Sequence, residues 1–370
     1  MASNTDYTKF KNAPLYAQNS GVVAACKTTN WWWAGEIDDE PVLPLTQGVE
    51  QCFTLWRKPQ AITKVVQYAT GKTFVEGIDY SLHADGKLII PAGSAIVSAP
   101  AGFLTTPDPS SPYLSQSLTK ENTPLYLGSN YTNYQIAVSY TTASVTPPEA
   151  NPLPRLSQAL GLKTPYAITF YGDSITLGGQ CSSNDNQAPQ LPDYADMFGA
   201  YLSSVAAGTI YWRNLSVFGI ATNTALADVG NILDTASDMV VLAFGMNDSS
   251  SAGRLTKQQF KANLIGMIET IRQTNGNVEI VLVSGVTSNP DWIENNPLFH
   301  GYRDVMHEIV GQYVGTTAIC VVDVTAVWED VLKSKSYYDV TASGVNHPGD
   351  FGHKLYVQTM IQALCGSEPT

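Results

Sequence analysis

Four residues of this chain have the types that acyl transfer requires: Ser174, Gly219, Asn247 and His347. A serine hydroxyl attacks an ester carbonyl when an imidazole takes its proton, and the oxyanion that forms needs preorganised N–H donors. Ser174 lies in Tyr171-Gly172-Asp173-Ser174-Ile175-Thr176-Leu177-Gly178, after the apolar run Ala167–Tyr171. That pattern reads as a strand ending at a tight turn that presents the hydroxyl. Gly-Asp-Ser alone is also an ordinary turn tripeptide, so its meaning depends on the rest of the chain. Gly219 offers a backbone N–H. Asn247, in Gly245-Met246-Asn247-Asp248, offers an amide, although Asn-Asp after a strand also reads as a turn or helix cap. His347, in Gly344-Val345-Asn346-His347-Pro348, offers a base, for which a pKa of roughly 6–7 suits the task.

These residues need elements that bring them together. From residue 166 onward, apolar strand-like runs alternate with helical stripes. Strands are expected at 166–171, 209–215, 238–244, 278–283 and 318–324. Helices are expected at 192–207, 223–236, 256–274, 298–314 and 351–364, the first from apolar residues at 194, 197, 198, 201, 202 and 205. Such alternation predicts an α/β fold, a three-layer doubly wound parallel sheet with both faces covered. Ser174, Gly219 and Asn247 follow the C-terminal ends of the first three strands, and His347 precedes the last helix. All four then fall on one rim, where such sheets place their ligands.

The first 145 residues read differently. Alternating runs at 49–55, 62–68 and 134–140, and a hairpin at 79–90 around Asp85-Gly86, predict a jelly-roll-like β-sandwich. Thr105–Thr123, rich in Pro, Ser and Thr, reads as a long loop. Residues 146–155 carry four prolines within Thr146–Pro154 and read as a linker, which leaves 156–370 as the second domain. Trp31, Trp32 and Trp33 cannot all point into one core. They either staple their segment to a neighbouring domain or offer a platform to a sugar ring or acyl group.

Gly172-Asp173-Ser174, Gly219, Gly245-Met246-Asn247-Asp248 and His347 resemble, in order and spacing, the four blocks of SGNH (GDSL-type) hydrolases, over roughly 165–365. The resemblance implies that Ser174 is the nucleophile and His347 the base. It also implies an oxyanion hole built from the N–H groups of Ser174 and Gly219 and the amide of Asn247. Leu153-Pro154-Arg155, Leu191–Ala195, Asn346–His353 and Thr73–Tyr80 look like SGNH esterases that carry an N-terminal β-sandwich. Many of those resemble carbohydrate esterases that remove acetyl groups from polysaccharides. No cofactor or metal is implied. The family usually has Asp-x-x-His, whereas position 344 here is glycine. Three readings compete. His347 is oriented by a backbone carbonyl such as that of Gly344, giving a Ser–His dyad; or Asp339 or Asp350 takes the role; or the enzyme is impaired. The dyad is preferred, because the third member mainly fixes tautomer and orientation. Asp350 then reads as a cap of the last helix, and Asp173 as a brace for the turn.

Composition sets limits on partners. A net charge of −12 and a pI near 4.8 disfavour nucleic acid and polyanionic substrates. No run approaches the roughly 18 apolar residues needed to cross a bilayer, and the first residues lack signal-peptide regions. The five cysteines, Cys26, Cys52, Cys181, Cys320 and Cys365, include no Cys-x-x-Cys pair. His83, His300, His307 and His353 have no metal-pair spacing. The expected function is a serine esterase acting on short acyl, chiefly acetyl, esters of a carbohydrate. The alternatives are a lipase or thioesterase for longer acyl chains, and a catalytically silent carbohydrate-binding protein. Nothing in the sequence specifies the oligomeric state.

Overall fold

A computed structural model of the chain describes residues 5–12, 31–105, 115–127, 131–143, 146–250, 253–313 and 318–366. In chain order, the N-terminal part comprises β1 (Lys11–Asn12), α1 (Trp31–Ala34), β2 (Glu36–Val42), β3 (Gln51–Thr54), β4 (Pro59–Gln67), β5 (Ser81–Leu82), β6 (Lys87–Ile90), β7 (Ser115–Leu118), β8 (Pro124–Leu127), α2 (Tyr131–Tyr134) and β9 (Ile136–Thr142). The remainder comprises α3 (Pro154–Gly161), β10 (Tyr166–Gly172), α4 (Tyr194–Val205), β11 (Ile210–Asn214), α5 (Thr222–Ala227), β12 (Met239–Ala243), α6 (Met246–Ser249), α7 (Lys257–Thr274), β13 (Glu279–Ser284), α8 (Leu298–Gln312), β14 (Ile319–Asp323), α9 (Val324–Leu332), α10 (Tyr337–Val340) and α11 (Asp350–Cys365).

The main sheet has the order β1-β11-β10-β12-β13-β14. β10 to β14 pair in parallel, and β1 adds an antiparallel edge on β11. The sheet is therefore mixed rather than purely parallel. Successive side chains of a strand point to opposite faces, and here the two faces feed two cores. Ile168, Phe170, Val241, Val283 and Val322 pack with Phe198 of α4, Trp328 of α9 and Phe351 and Leu355 of α11. Tyr171, Val240, Leu242 and Leu282 pack with Phe260, Leu264 and Ile268 of α7 and Tyr302 and Val305 of α8. Strands buried on both faces read as near-continuous apolar runs, as β12, Met-Val-Val-Leu-Ala, does, whereas β11 ends in Arg213-Asn214. The strand order reverses between β10 and its neighbours β11 and β12, so the turn after β10 opens at the topological switch point.

Helix starts follow their caps. Asp193 accepts from Asp196 N and starts α4 two residues later than Pro192. Thr256 and Gln259 form a capping box at α7. α9 begins directly at the end of β14, capped by Asp323 with no intervening loop.

N-terminal strands form two three-stranded antiparallel sheets, β2-β9-β4 and β3-β6-β5, and the separate hairpin β7-β8. The hairpin stands where a loop to Thr123 was expected; residues 106–114 of that stretch lie outside the described residues. This region is not packed as a detached unit. Ile37, Val65, Leu88, Ile90 and Val138 share one continuous core with α11 and the main sheet. Residues 11 and 12, placed by sequence with the first 145, join the main sheet. α11 is buried along nearly its whole length, and two of its polar residues find partners on the N-terminal segment. Gln358 accepts from Trp31 N at 3.0 Å, and Lys354 Nζ lies 2.8 Å from Asp39 Oδ2.

Candidate active site

Ser174 stands two residues beyond β10 and is 5% exposed. Gly172 permits the close approach of strands beneath it, since a Cβ there would collide with Thr176 Oγ1 and stand 2.5 Å from Ala243 O. The turn closes through Leu177 N to Asp173 O at 3.0 Å and Gly179 N to Ser174 O at 2.7 Å. Asp173 braces it by accepting from Ile175 N at 3.0 Å. Burial pushes the Asp173 carboxyl up to about 7, with the neighbouring Asp248 adding to the shift. From β11, Asn214 Nδ2 donates to Thr176 O at 2.6 Å and holds the far side of the turn.

Gly219 lies in the loop after β11. Val217 N donates to Gly172 O at 3.0 Å, which docks this loop against the end of β10. Gly219 has φ of +71°, a left-handed conformation that glycine adopts without steric cost. Asn247 is the second residue of α6, which follows Gly245, whose φ is +135°. One N–H of its amide donates to Ile220 O at 3.0 Å, so the amide is fixed beside the Gly219 loop. Asp248 Oδ1 accepts from Thr222 N at 2.9 Å and ties α6 to the start of α5.

His347 comes from the loop before α11. Its Nε2 lies 2.8 Å from Ser174 Oγ, and its Nδ1 lies 2.8 Å from Asn346 Oδ1. The loop is wound around two buried hydroxyls. Ser343 Oγ accepts from Val345 N, Asn346 N and His347 N at 3.2, 3.3 and 3.2 Å, and Thr341 Oγ1 accepts from Gly344 N and donates to His347 O. Gly344 has φ of +74°, which explains a glycine where a side chain was expected. Its carbonyl accepts from Asn289 Nδ2 at 2.6 Å, and the imidazole Nδ1 is partnered by Asn346 Oδ1 instead. Asp339 and Asp350 are engaged elsewhere too. Asp339 accepts from Leu43 N and Ser336 N, and Asp350 accepts from Ser182 N and the Tyr68 hydroxyl. Desolvation pushes the His347 pKa down to about 4, below the range expected of the base.

The tryptophans lie apart from this chemistry. Trp31 and Trp32 are buried: Trp31 stacks on Phe351 at 5.2 Å, and Trp32 Nε1 donates to Gln358 O at 3.1 Å. Trp33 is half-buried against the same core. They brace α11, and Trp31 and Trp32 expose almost no ring surface that a sugar or acyl group could use as a platform. Trp32 also borders a cavity of about 670 Å³ walled by Arg57, Lys58, Asp323 and Asp330, with neither Ser174 nor His347 in its lining. The described cysteines, Cys52, Cys181, Cys320 and Cys365, are free thiols, and Cys26 lies outside the described residues. His83, His300 and His307 each face a carboxylate on the surface. Among the described residues no helix is long and apolar enough to cross a membrane.

Residue types at motif positions pointed to Ser174, Gly219, Asn247 and His347. Asn346, Asn289, Ser343 and Gly179 escaped that reading. The Asn-His adjacency and the Gly178-Gly179 pair were their only signals.

The mixed sheet with helices on both faces, and a serine turn at its switch point, define an α/β hydrolase fold of the SGNH type. Residues 170–355, half of the 370-residue chain, match the family described as GDSL-like Lipase/Acylhydrolase. The chain belongs to that family. Among solved structures it is similar to a lipolytic G-D-S-L family protein from Veillonella parvula (16% identity, 53% of this chain and 97% of that one, TM-score 0.41). It is also similar to a lipase/acylhydrolase from Enterococcus faecalis (19%, 53% and 94%, 0.42). A third likeness is to a carbohydrate esterase family 3 protein from Talaromyces cellulolyticus (12%, 53% and 94%, 0.40). No curated protein matches the chain in sequence.

Proposed function

We propose that this acylhydrolase-family protein is a serine esterase that removes short acyl groups, chiefly acetyl, from a neutral carbohydrate. The observation that carries the reading is the 2.8 Å contact between Ser174 Oγ and His347 Nε2. In this reaction Ser174 Oγ attacks the ester carbonyl carbon while its proton passes to Nε2. The oxyanion is met by the N–H groups of Ser174 and Gly219 and by the second N–H of Asn247, the first being held by Ile220 O. The carbon–oxygen bond to the sugar then breaks, and Nε2 returns its proton to the leaving oxygen. Water attacks the acyl-enzyme, giving its proton to Nε2. The carboxylic acid leaves, and Ser174 regains its hydrogen.

Two features support the substrate class. Phe218, 64% exposed, and Val217 stand immediately before Gly219. An exposed aromatic ring beside an oxyanion donor suits the C–H face of a sugar. The net charge of −12 favours a neutral acceptor over a polyanion. The same apolar pair gives the second reading its footing: a longer acyl chain laid across Val217 and Phe218.

The test is hydrolysis of p-nitrophenyl esters from acetate to octanoate, together with acetate release from acetylated polysaccharides. We expect acetate to be the best ester and Ser174→Ala to lower kcat by about 10³-fold or more. A best rate on octanoate would favour the lipase reading. Hydrolysis that does not depend on Ser174, or no hydrolysis, would overturn the esterase reading.

A further inference from the structure

His347 has two ring nitrogens and two partners. For the Ser174 hydroxyl to donate to Nε2, Nε2 must carry the lone pair, so the neutral ring holds its proton on Nδ1. Nδ1–H then needs an acceptor, and Asn346 Oδ1 stands at 2.8 Å. The competing acceptors Gly344 O, Asp339 and Asp350 are hydrogen-bonded to other groups and not to the imidazole. Gly344 O accepts from Asn289, Asp339 caps α10 and accepts from Leu43 N, and Asp350 accepts from Ser182 N and Tyr68. Asn346 and His347 share one rigid stretch, because both their backbone N–H groups converge on the buried Ser343 hydroxyl.

We infer that Asn346 is the positioning residue of the dyad, a neutral amide that fixes the tautomer and direction of His347 where a carboxylate would ordinarily do so. This rests on the esterase reading of Ser174 and His347. The consequence is electrostatic as well as geometric. An amide oxygen orients the ring but places no negative charge beside the imidazolium that forms when Ser174 gives up its proton.

Other ionisable groups lie on the elements packed around this loop, among them Tyr337 of α10, whose hydroxyl donates to Val345 O at 3.2 Å. Asp173 lies on the serine turn, and its carboxylate oxygen accepts from Ile175 N. Asp350 starts α11 and is directed to Ser182 and Tyr68. His353, buried on α11, is pushed down to about 3 by burial and by His347. No hydrogen bond links any of them to the imidazole, so burial dominates and holds the His347 pKa at about 4. The base works in its neutral form. Activity is then retained as pH falls from neutrality and is lost as pH drops through about 4.

Asn346→Asp puts a carboxylate on Nδ1–H, stabilises the imidazolium, and moves the acid limb of kcat/KM up by roughly one to three pH units. Asn346→Ala removes the acceptor, and kcat on p-nitrophenyl acetate falls by about tenfold with KM unchanged. Nitrogen-15 NMR of the wild-type imidazole should find Nδ1 protonated and Nε2 bare. An unmoved acid limb in Asn346→Asp overturns the inference, as does wild-type kcat in a folded Asn346→Ala. Nδ1 found without its proton also overturns it, and that measurement stands even where a variant does not fold. Ser174→Ala, run alongside, separates the two levels. Hydrolysis independent of Ser174 would remove the esterase reading itself, whereas Ser174-dependent hydrolysis indifferent to residue 346 would remove only the role of Asn346.

Discussion

Gly179 lies where no side chain fits. A Cβ there would stand 2.9 Å from Ser174 O and 3.1 Å from both Nε2 and Cδ2 of His347. The bare backbone forms one wall beside the Ser174–His347 pair, and its N–H closes the serine turn on Ser174 O at 2.7 Å. Displacements well under an ångström matter in such a pair, because misplacement by about 1 Å costs about 100-fold in rate. Gly179→Ala should lower kcat on p-nitrophenyl acetate by roughly 10- to 100-fold while circular dichroism stays unchanged. Wild-type kcat in the Gly179→Ala variant would contradict this packing. Residue type announces a nucleophile and a base. It does not announce a glycine needed because an imidazole presses on it, nor an asparagine that turns to its own neighbour. Those roles follow from loop conformation, and Gly344 at φ +74° shows that the histidine loop takes its own path.

The histidine loop is supported by an element that sequence placed outside the second domain. The β7-β8 hairpin lies against residues 288–295: Trp292 Nε1 donates to Ser117 Oγ at 2.8 Å, Lys120 N to Asp291 O at 2.8 Å and Ile293 N to Leu118 O at 2.9 Å. Leu125 from the hairpin, Trp292 and Val345 form one small core, and Val345 is two residues before His347. Leu125→Ala removes a fully buried side chain, at a cost of about 2–5 kcal/mol for such sites. Because the cavity opens beneath Val345, kcat should fall several-fold along with Tm, with KM little changed. Loss of Tm at constant kcat would show that the hairpin does not help to hold the loop. The parallel strands β10 to β14 were legible, since burial on both faces favours apolar runs, whereas the two-residue edge strand β1 was not. The hairpin was not, because Ser-Gln-Ser-Leu pairs with Pro-Leu-Tyr-Leu against a neighbour that local pattern does not reveal. β2 was equally hidden, its Glu-Ile-Asp-Asp-Glu run carrying charges that pair with Lys354, Lys64 and Lys335.

At the scale of the molecule, the N-terminal and C-terminal parts are joined by buried charge as well as by a shared core. Lys335 Nζ lies 3.2 Å from Glu40 Oε1 with both side chains at 0% exposure. Glu40 also accepts from the Tyr140 hydroxyl at 2.6 Å and Trp56 N at 2.9 Å. Removing one partner leaves a buried charge uncompensated, and Lys335→Met should cost about 3–5 kcal/mol, read as a lower denaturant midpoint. The wild-type protein should unfold in one cooperative transition, as expected of a continuous core. Two separated transitions would instead support an accessory domain on a Pro-rich linker. The proposed esterase reaction turns on one bond-forming event at Ser174, and trapping that event is its most direct test. Protein mixed with p-nitrophenyl acetate, quenched in acid within the turnover time and digested, should show one acetyl group on the peptide carrying Ser174. His347→Ala should not accumulate it. Ester turnover with no acetyl on that peptide, or with the acetyl on another residue, would contradict the account.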